Sequence, residues 1–351
     1  MKRNVQGGSI GAMKEKIRTT WIDLTKCFAC LTVIVGHILQ SMQRSSLLAE
    51  TDTANCILRG IYHVNVPLFL ICSGYLYQEY KRVGSLQEWR IHICHKLKTI
   101  GVPYVLFVVV IWAIKKVFSD YVHLKPGTLI ESLLIQPISP YWFLLCLLIF
   151  FIVIPTFNIK MIAIIYNVLA IALYVFTETA SFDIPFTLEM VTYYMIWFVV
   201  GMDISLIAAV GKMGINVLAW CASIVGVILF VIINCIFTLS GSDNWVGYFL
   251  ISVLGCASII LLTVCISSIC MDSAKSTINR LAVWTWPIFL LHTIFAAGAR
   301  VVLSRLGVDN LWIHMVCGMA VGTVAPVVAY EVYRLVVGKW LRDDRKECEK
   351  N

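Results

Sequence analysis

Charge is scarce in this chain. Asp, Glu, Lys and Arg make up 14% of its 351 residues, where a soluble domain carries about 25%. So few ionisable groups cannot cover a water-facing surface, which excludes an ordinary soluble enzyme. The signatures of several common chemistries are also missing: there is no G-x-S-x-G, Walker loop, H-E-x-x-H or acidic metal cluster. No metal is expected. No soluble segment is long enough for a basic, aromatic-interleaved nucleic-acid surface. Low-complexity linkers and internal repeats are absent too. The first 20 residues are polar and lead into no short apolar core with a small-residue cleavage site, so the first long apolar run is expected to be retained as a helix.

What the chain does have is hydrophobic length: 60% of it is apolar. Apolar runs of the size needed to cross ~30 Å of hydrocarbon recur near 21–42, 58–80, 99–118, 140–158, 160–178, 187–207, 214–239, 244–270, 281–303 and 310–337. This pattern predicts an all-α, polytopic integral membrane protein with about ten transmembrane helices. One membrane domain (21–337) lies between a short N-terminal tail (1–20) and a C-terminal tail (338–351). Pro155, just before the narrow gap between the fourth and fifth runs, predicts a helix break there. With a cytoplasmic N-terminus, 20 of the 28 Lys and Arg fall on the inner side, seven fall outside, and Lys26 lies within the membrane. The positive-inside rule therefore puts both termini in the cytoplasm and accounts for most of the net charge of +8. The thirteen cysteines are scattered through the spans, where a thiol acts as a small apolar group; Cys27 and Cys30 lack the second half of a metal or redox motif.

The first run is the informative one, because it carries Asp23, Lys26 and His37. Ionisable groups in a spanning helix cost a few kcal/mol and tend to face a bundle interior or an aqueous cavity. At ~100° and ~1.5 Å per residue, Lys26 and His37 lie about 20° and 16.5 Å apart, with Asp23 roughly 40° from the same line. All three share one stripe. His63 and Asn65 enter from the outer side at a depth similar to that of His37, and Pro67 is expected to bend their helix and open room for a shared pocket. A neutral imidazole accepts a proton near pH 7, which suits acyl transfer or proton relay. The alternative for each is an interfacial histidine bonded to a neighbouring helix.

Ser73 and Gly74 suit close helix approach, and His292 lies mid-span in the ninth run. Trp142 opens the fourth run at the outer face, where an aromatic belt also explains it. The stretch between the second and third runs, with Lys81, Arg82, Arg90, Lys96 and Lys98, is basic and attracts anionic lipid or phosphate. His92, His95, His123 and His314 carry no signal of their own.

These blocks together resemble the membrane acyltransferase family 3, multi-span bacterial O-acetyltransferases of surface polysaccharides. The likeness rests on residues 21–26 (WIDLTK), 35–37 (VGH) and 62–76 (YHVNVPLFLICSGYL), with weaker echoes at 141–144, 198–201 and 288–292. It implies acetyl-CoA, or another acyl-CoA, as cytoplasmic donor. It also implies a hydroxyl of a sugar or cell-surface polysaccharide as acceptor, membrane lipids as surroundings, and the bacterial cytoplasmic membrane as location. His37 is implied to move the proton. The family's basic residue in the first helix is commonly Arg; here it is Lys26, a point charge without the bidentate fork. On this reading Lys26 and Asp23 assist catalysis, while Lys26, Arg82, Lys96 and Lys98 hold the CoA phosphates. His63, Asn65, Ser73, Trp142 and His292 line the acceptor side. A proton-coupled transporter or exporter of a small polar or acylated solute is the rival reading of the same polar seam.

Overall fold

Backbone polar groups at membrane depth must find partners within the protein, and a helix provides them locally. The computed structural model describes residues 20–80, 85–117, 127–207 and 216–348, with side chains described up to 336, and its regular elements are all helical. They are α1 (Thr20–Arg44), α2 (Asp52–Tyr80), α3 (Leu86–Lys96), α4 (Val102–Val117), α5 (Trp142–Val153), α6 (Lys160–Thr179), α7 (Phe186–Leu206), α8 (Val217–Leu239), α9 (Trp245–Ile269), α10 (Asp272–Arg305) and α11 (Leu311–Cys348). Wide π-type turns cover Leu97–Gly101 and Glu131–Ile135. Because the first of these joins α3 to α4 without a break, nine helices among the described residues are long and apolar enough to cross a membrane. The molecule is a polytopic helical membrane protein.

The expected fourth span is the exception. Val153 ends α5 after 12 residues, about 18 Å of helix. Ile154, which precedes Pro155, turns extended at φ −95° and ψ 113°, as the proline ring requires of its neighbour. The non-helical chain that follows has one local turn, the Asn158 N–H donating to the Thr156 carbonyl at 3.0 Å, and is otherwise held by side chains. Tyr77 donates its hydroxyl to the Ile154 carbonyl at 3.0 Å, and Tyr166 donates to Val153 at 3.0 Å. Gln78 grips Phe157 at both ends, accepting from its N–H at 2.8 Å and donating to its carbonyl at 3.1 Å.

The third and ninth runs also begin earlier than composition suggests, at Leu86 and Asp272. The last helix continues through the expected C-terminal tail to Cys348. Arg82 and His123 lie outside the described residues.

The core gathers around α2 and α7, which touch backbone to backbone. A methyl group on Gly74 would overlap the Phe198 carbonyl, and one on Gly201 would overlap that of Ile71. The pair behaves as the small-residue interface typical of membrane helices. α1 packs against α2, α9 and α10, and Thr25 meets Thr263 hydroxyl to hydroxyl at 2.8 Å. Outside this core, α6 and α8 expose rows of large apolar side chains, among them Ile164, Ile165 and Val168, and Ile228, Leu229 and Ile232. Such rows fit hydrocarbon, not water.

Candidate active site

α1 brings His37 against α10. The rings of His37 and His292 lie 5.2 Å apart, centre to centre, at 45°. His292 is fully buried. Its Nδ1 lies 2.9 Å from the Ile288 carbonyl and 3.0 Å from that of Phe289. A carbonyl only accepts, so Nδ1 carries the proton and Nε2 keeps its lone pair. That lone pair is buried with no hydrogen-bond partner. Tyr141 fixes α10 close by, donating its hydroxyl to the Leu290 carbonyl at 2.8 Å. The result is an oriented imidazole, its basic nitrogen unoccupied, beside a second imidazole that is partly exposed.

Asp23 and Lys26 lie near the N-terminal end of the same helix, Asp23 buried and Lys26 half-buried. The turns between Lys26 and His37 are filled: Cys30 and Val33 are buried, and the Cys30 thiol lies 3.8 Å from the Thr285 carbonyl of α10. The stripe is therefore a packed seam between α1 and α10.

His63 has different company. Its Nδ1 lies 2.9 Å from the Ser252 hydroxyl of α9, and its ring lies 5.5 Å from that of Tyr248. Both belong to the wall of a cavity of about 370 Å³, which Pro67, Arg59, Glu178, Glu189 and Trp197 also line. The cavity opens where the expectation put it, beside Pro67, whose missing N–H leaves the His63 carbonyl without its helical partner. His37 is not on its wall, so the two histidines expected to share a pocket are held apart. Tyr62 lines the cavity, and its ring comes within 3.9 Å of a Cβ placed on Gly36, the residue before His37.

The remaining candidates scatter. Asn65 is buried, and its Oδ1 accepts the Val66 N–H at 2.6 Å. Ser73 donates to the Phe69 carbonyl of its own helix at 2.8 Å. Trp142 packs on Tyr194, with rings 5.3 Å apart, and edge-on to Phe186. It backs the cavity wall from outside. Lys96 places its ammonium 3.6 Å from the centre of the Phe151 ring, and Lys98 is exposed. Among histidines read as silent, His92 is buried and stacks on Tyr77, and His314 is buried with Nε2 2.7 Å from the Val308 carbonyl.

Sequence reasoning missed Ser252, Arg59, Glu178, Glu189, Trp197 and Tyr248. Glu178 and Glu189 did give a signal, as acids at the rims of two apolar runs. Ser252 gave none, since serines recur throughout the helices. No group of three or more His, Cys, Asp or Glu side chains fit to hold a metal occurs among the described residues.

The family model described as an acyltransferase domain matches residues 19–331, nearly the whole chain, and the protein belongs to the acyltransferase 3 family. It is a multi-pass membrane protein of an acyl-transferring family. No curated protein and no solved structure matches it.

Proposed function

We propose that this chain transfers an acyl group, acetyl in the simplest case, from cytoplasmic acyl-CoA to a hydroxyl of a sugar or cell-surface polysaccharide at the bacterial cytoplasmic membrane. The observation that carries the reading is the His37–His292 pair in the core of a chain whose family transfers acyl groups. Acyl-CoA supplies the activated carbonyl as a thioester. His37 takes the proton of the acceptor hydroxyl as the oxygen attacks that carbonyl. Negative charge then rests on the carbonyl oxygen until the intermediate collapses. The C–S bond breaks, the new ester leaves, and the CoA thiolate recovers the proton from His37. His292 is suited to receive an N–H of the charged His37 ring at its open Nε2.

Exposed Lys98, with Lys96 and Lys26, supplies positive charge for the CoA phosphates on the inner side. Pantetheine approaches His37 along the α1–α10 seam, which has to part where Cys30 meets Thr285.

The test is turnover in proteoliposomes, followed as thiol release from acetyl-CoA in the presence of glycan acceptor. His37→Ala is expected to lose about 100-fold or more, the scale of a general base, while folding to the same detergent-solubilised species. Wild-type turnover by that variant would remove His37 from the mechanism.

A further inference from the structure

The cavity beside Pro67 has its own chemistry. Glu178 from the end of α6 and Glu189 from the first turn of α7 both line it, and both are only partly exposed. Neither forms an ion pair with Lys or Arg among the described residues. The one guanidinium in the wall, Arg59, donates to the hydroxyl of Tyr248, another wall residue, and lies over that ring at 5.6 Å. Carboxylates thus outnumber cations two to one in a space roofed by aromatic rings, Tyr193 and Tyr194 among them.

A second observation is independent of charge. Trp197 is also part of this wall, and it is 4% exposed with its indole N–H lacking any acceptor. Buried donors are seldom left unpaired; this N–H is itself covered, and a small turn of the ring would present it to an oxygen of an occupant. The walls therefore ask for an occupant with a cation for the carboxylates and ring faces and an oxygen for the indole.

We infer that this cavity binds the acceptor, and that the acceptor is a polyhydroxylated molecule bearing a free ammonium group, of the amino-sugar class. The inference rests on the acyl-transfer reading for the occupant's role as acceptor, and not for its binding. Tyr62 lines the cavity and comes close to Gly36, the residue before His37, so it is the wall residue nearest in the fold to the proposed base.

Binding of glucosamine, glucose and glucose 6-phosphate to the full-length detergent-solubilised chain tests it. The titrations are run at about pH 6, where an amine of α-amino type is protonated. Glucosamine is expected to bind roughly tenfold more tightly than glucose, with glucose 6-phosphate the weakest of the three. The double variant Glu178→Gln, Glu189→Gln is expected to bring glucosamine down to the level of glucose without changing glucose binding. Equal binding of the two sugars, preference for the phosphate, or a variant that keeps the glucosamine preference would each overturn the inference. The outcomes separate from those of the acyl-transfer test. A silent His37→Ala variant leaves the glucosamine result standing, and a lost glucosamine preference leaves thioester consumption with other hydroxyls untouched.

Discussion

Two imidazoles 5.2 Å apart divide the work by their hydrogen bonds. His292 spends its proton on backbone carbonyls and so offers only a lone pair, whereas His37 is the partly exposed member. A buried acceptor left open costs about 1–3 kcal/mol, and in the proposed mechanism that cost would be recovered as the neighbouring ring becomes an imidazolium with an N–H to give. On the proposed mechanism His292 would act as a positioning residue, for a charge that exists only during turnover. His292→Phe is expected to lower kcat about tenfold or more with little change in KM. His292→Gln, whose side-chain oxygen falls near the place of Nε2, is expected to restore part of the loss. Equal kcat values for the two variants would leave only a packing role. At this scale the sequence was partly readable. His37 stood out because a titratable ring in an apolar run needs a reason, and its rank as a candidate follows from that alone. Its partner was not readable, because contact between α1 and α10 joins residues 255 positions apart and no local spacing encodes it. Ser252 was invisible for a related reason: what sets it apart is a bond to a histidine on another helix.

Among the elements, the segment from α5 to Phe157 departs furthest from a plain span. Its break was legible in Pro155. What replaces the lost helical bonds was not, since the replacements come from Tyr77, Gln78 and Tyr166 on other helices. Gln78→Leu keeps the volume nearly constant but strands both polar groups of Phe157. Each stranded group costs about 1–3 kcal/mol, so the variant is expected to melt at a clearly lower temperature in detergent; an unchanged melting curve would mean that water already satisfies Phe157. The start of α3 was legible but overlooked. Ser85 accepts the Glu88 N–H at 3.2 Å, and a serine followed by Glu three residues later is a helix-start signature. The surrounding cations drew the reading towards a loop.

For the molecule as a whole, sidedness turns on whether the α5 segment crosses. Twelve helical residues give about 18 Å, short of the ~30 Å of a hydrocarbon core, so the non-helical residues that follow would have to supply the rest. If the segment crosses, the spans are ten and the termini share a side, which the charge asymmetry of the sequence would put in the cytoplasm. Reporter fusions at the two ends are expected to show both termini inside; opposite sides would mean that the segment is re-entrant. The number of long helices and the family were readable from composition and from the blocks at 21–37 and 62–76. The cavity was not, because α2, α6, α7 and α9 each contribute a few side chains to it and none carries a pattern alone.

Gln78 standing in for a missing strand neighbour has a consequence for how the chain is made. The Ile154 carbonyl and both polar groups of Phe157 draw their partners from α2, already synthesised when they emerge, and the Val153 carbonyl draws its partner from Tyr166, which is not. Hydrocarbon offers no substitute in the interval. This stretch cannot slip into lipid by itself as each long helix can; it has to wait at a sheltered site until the next helix arrives, and the order of synthesis becomes part of the fold.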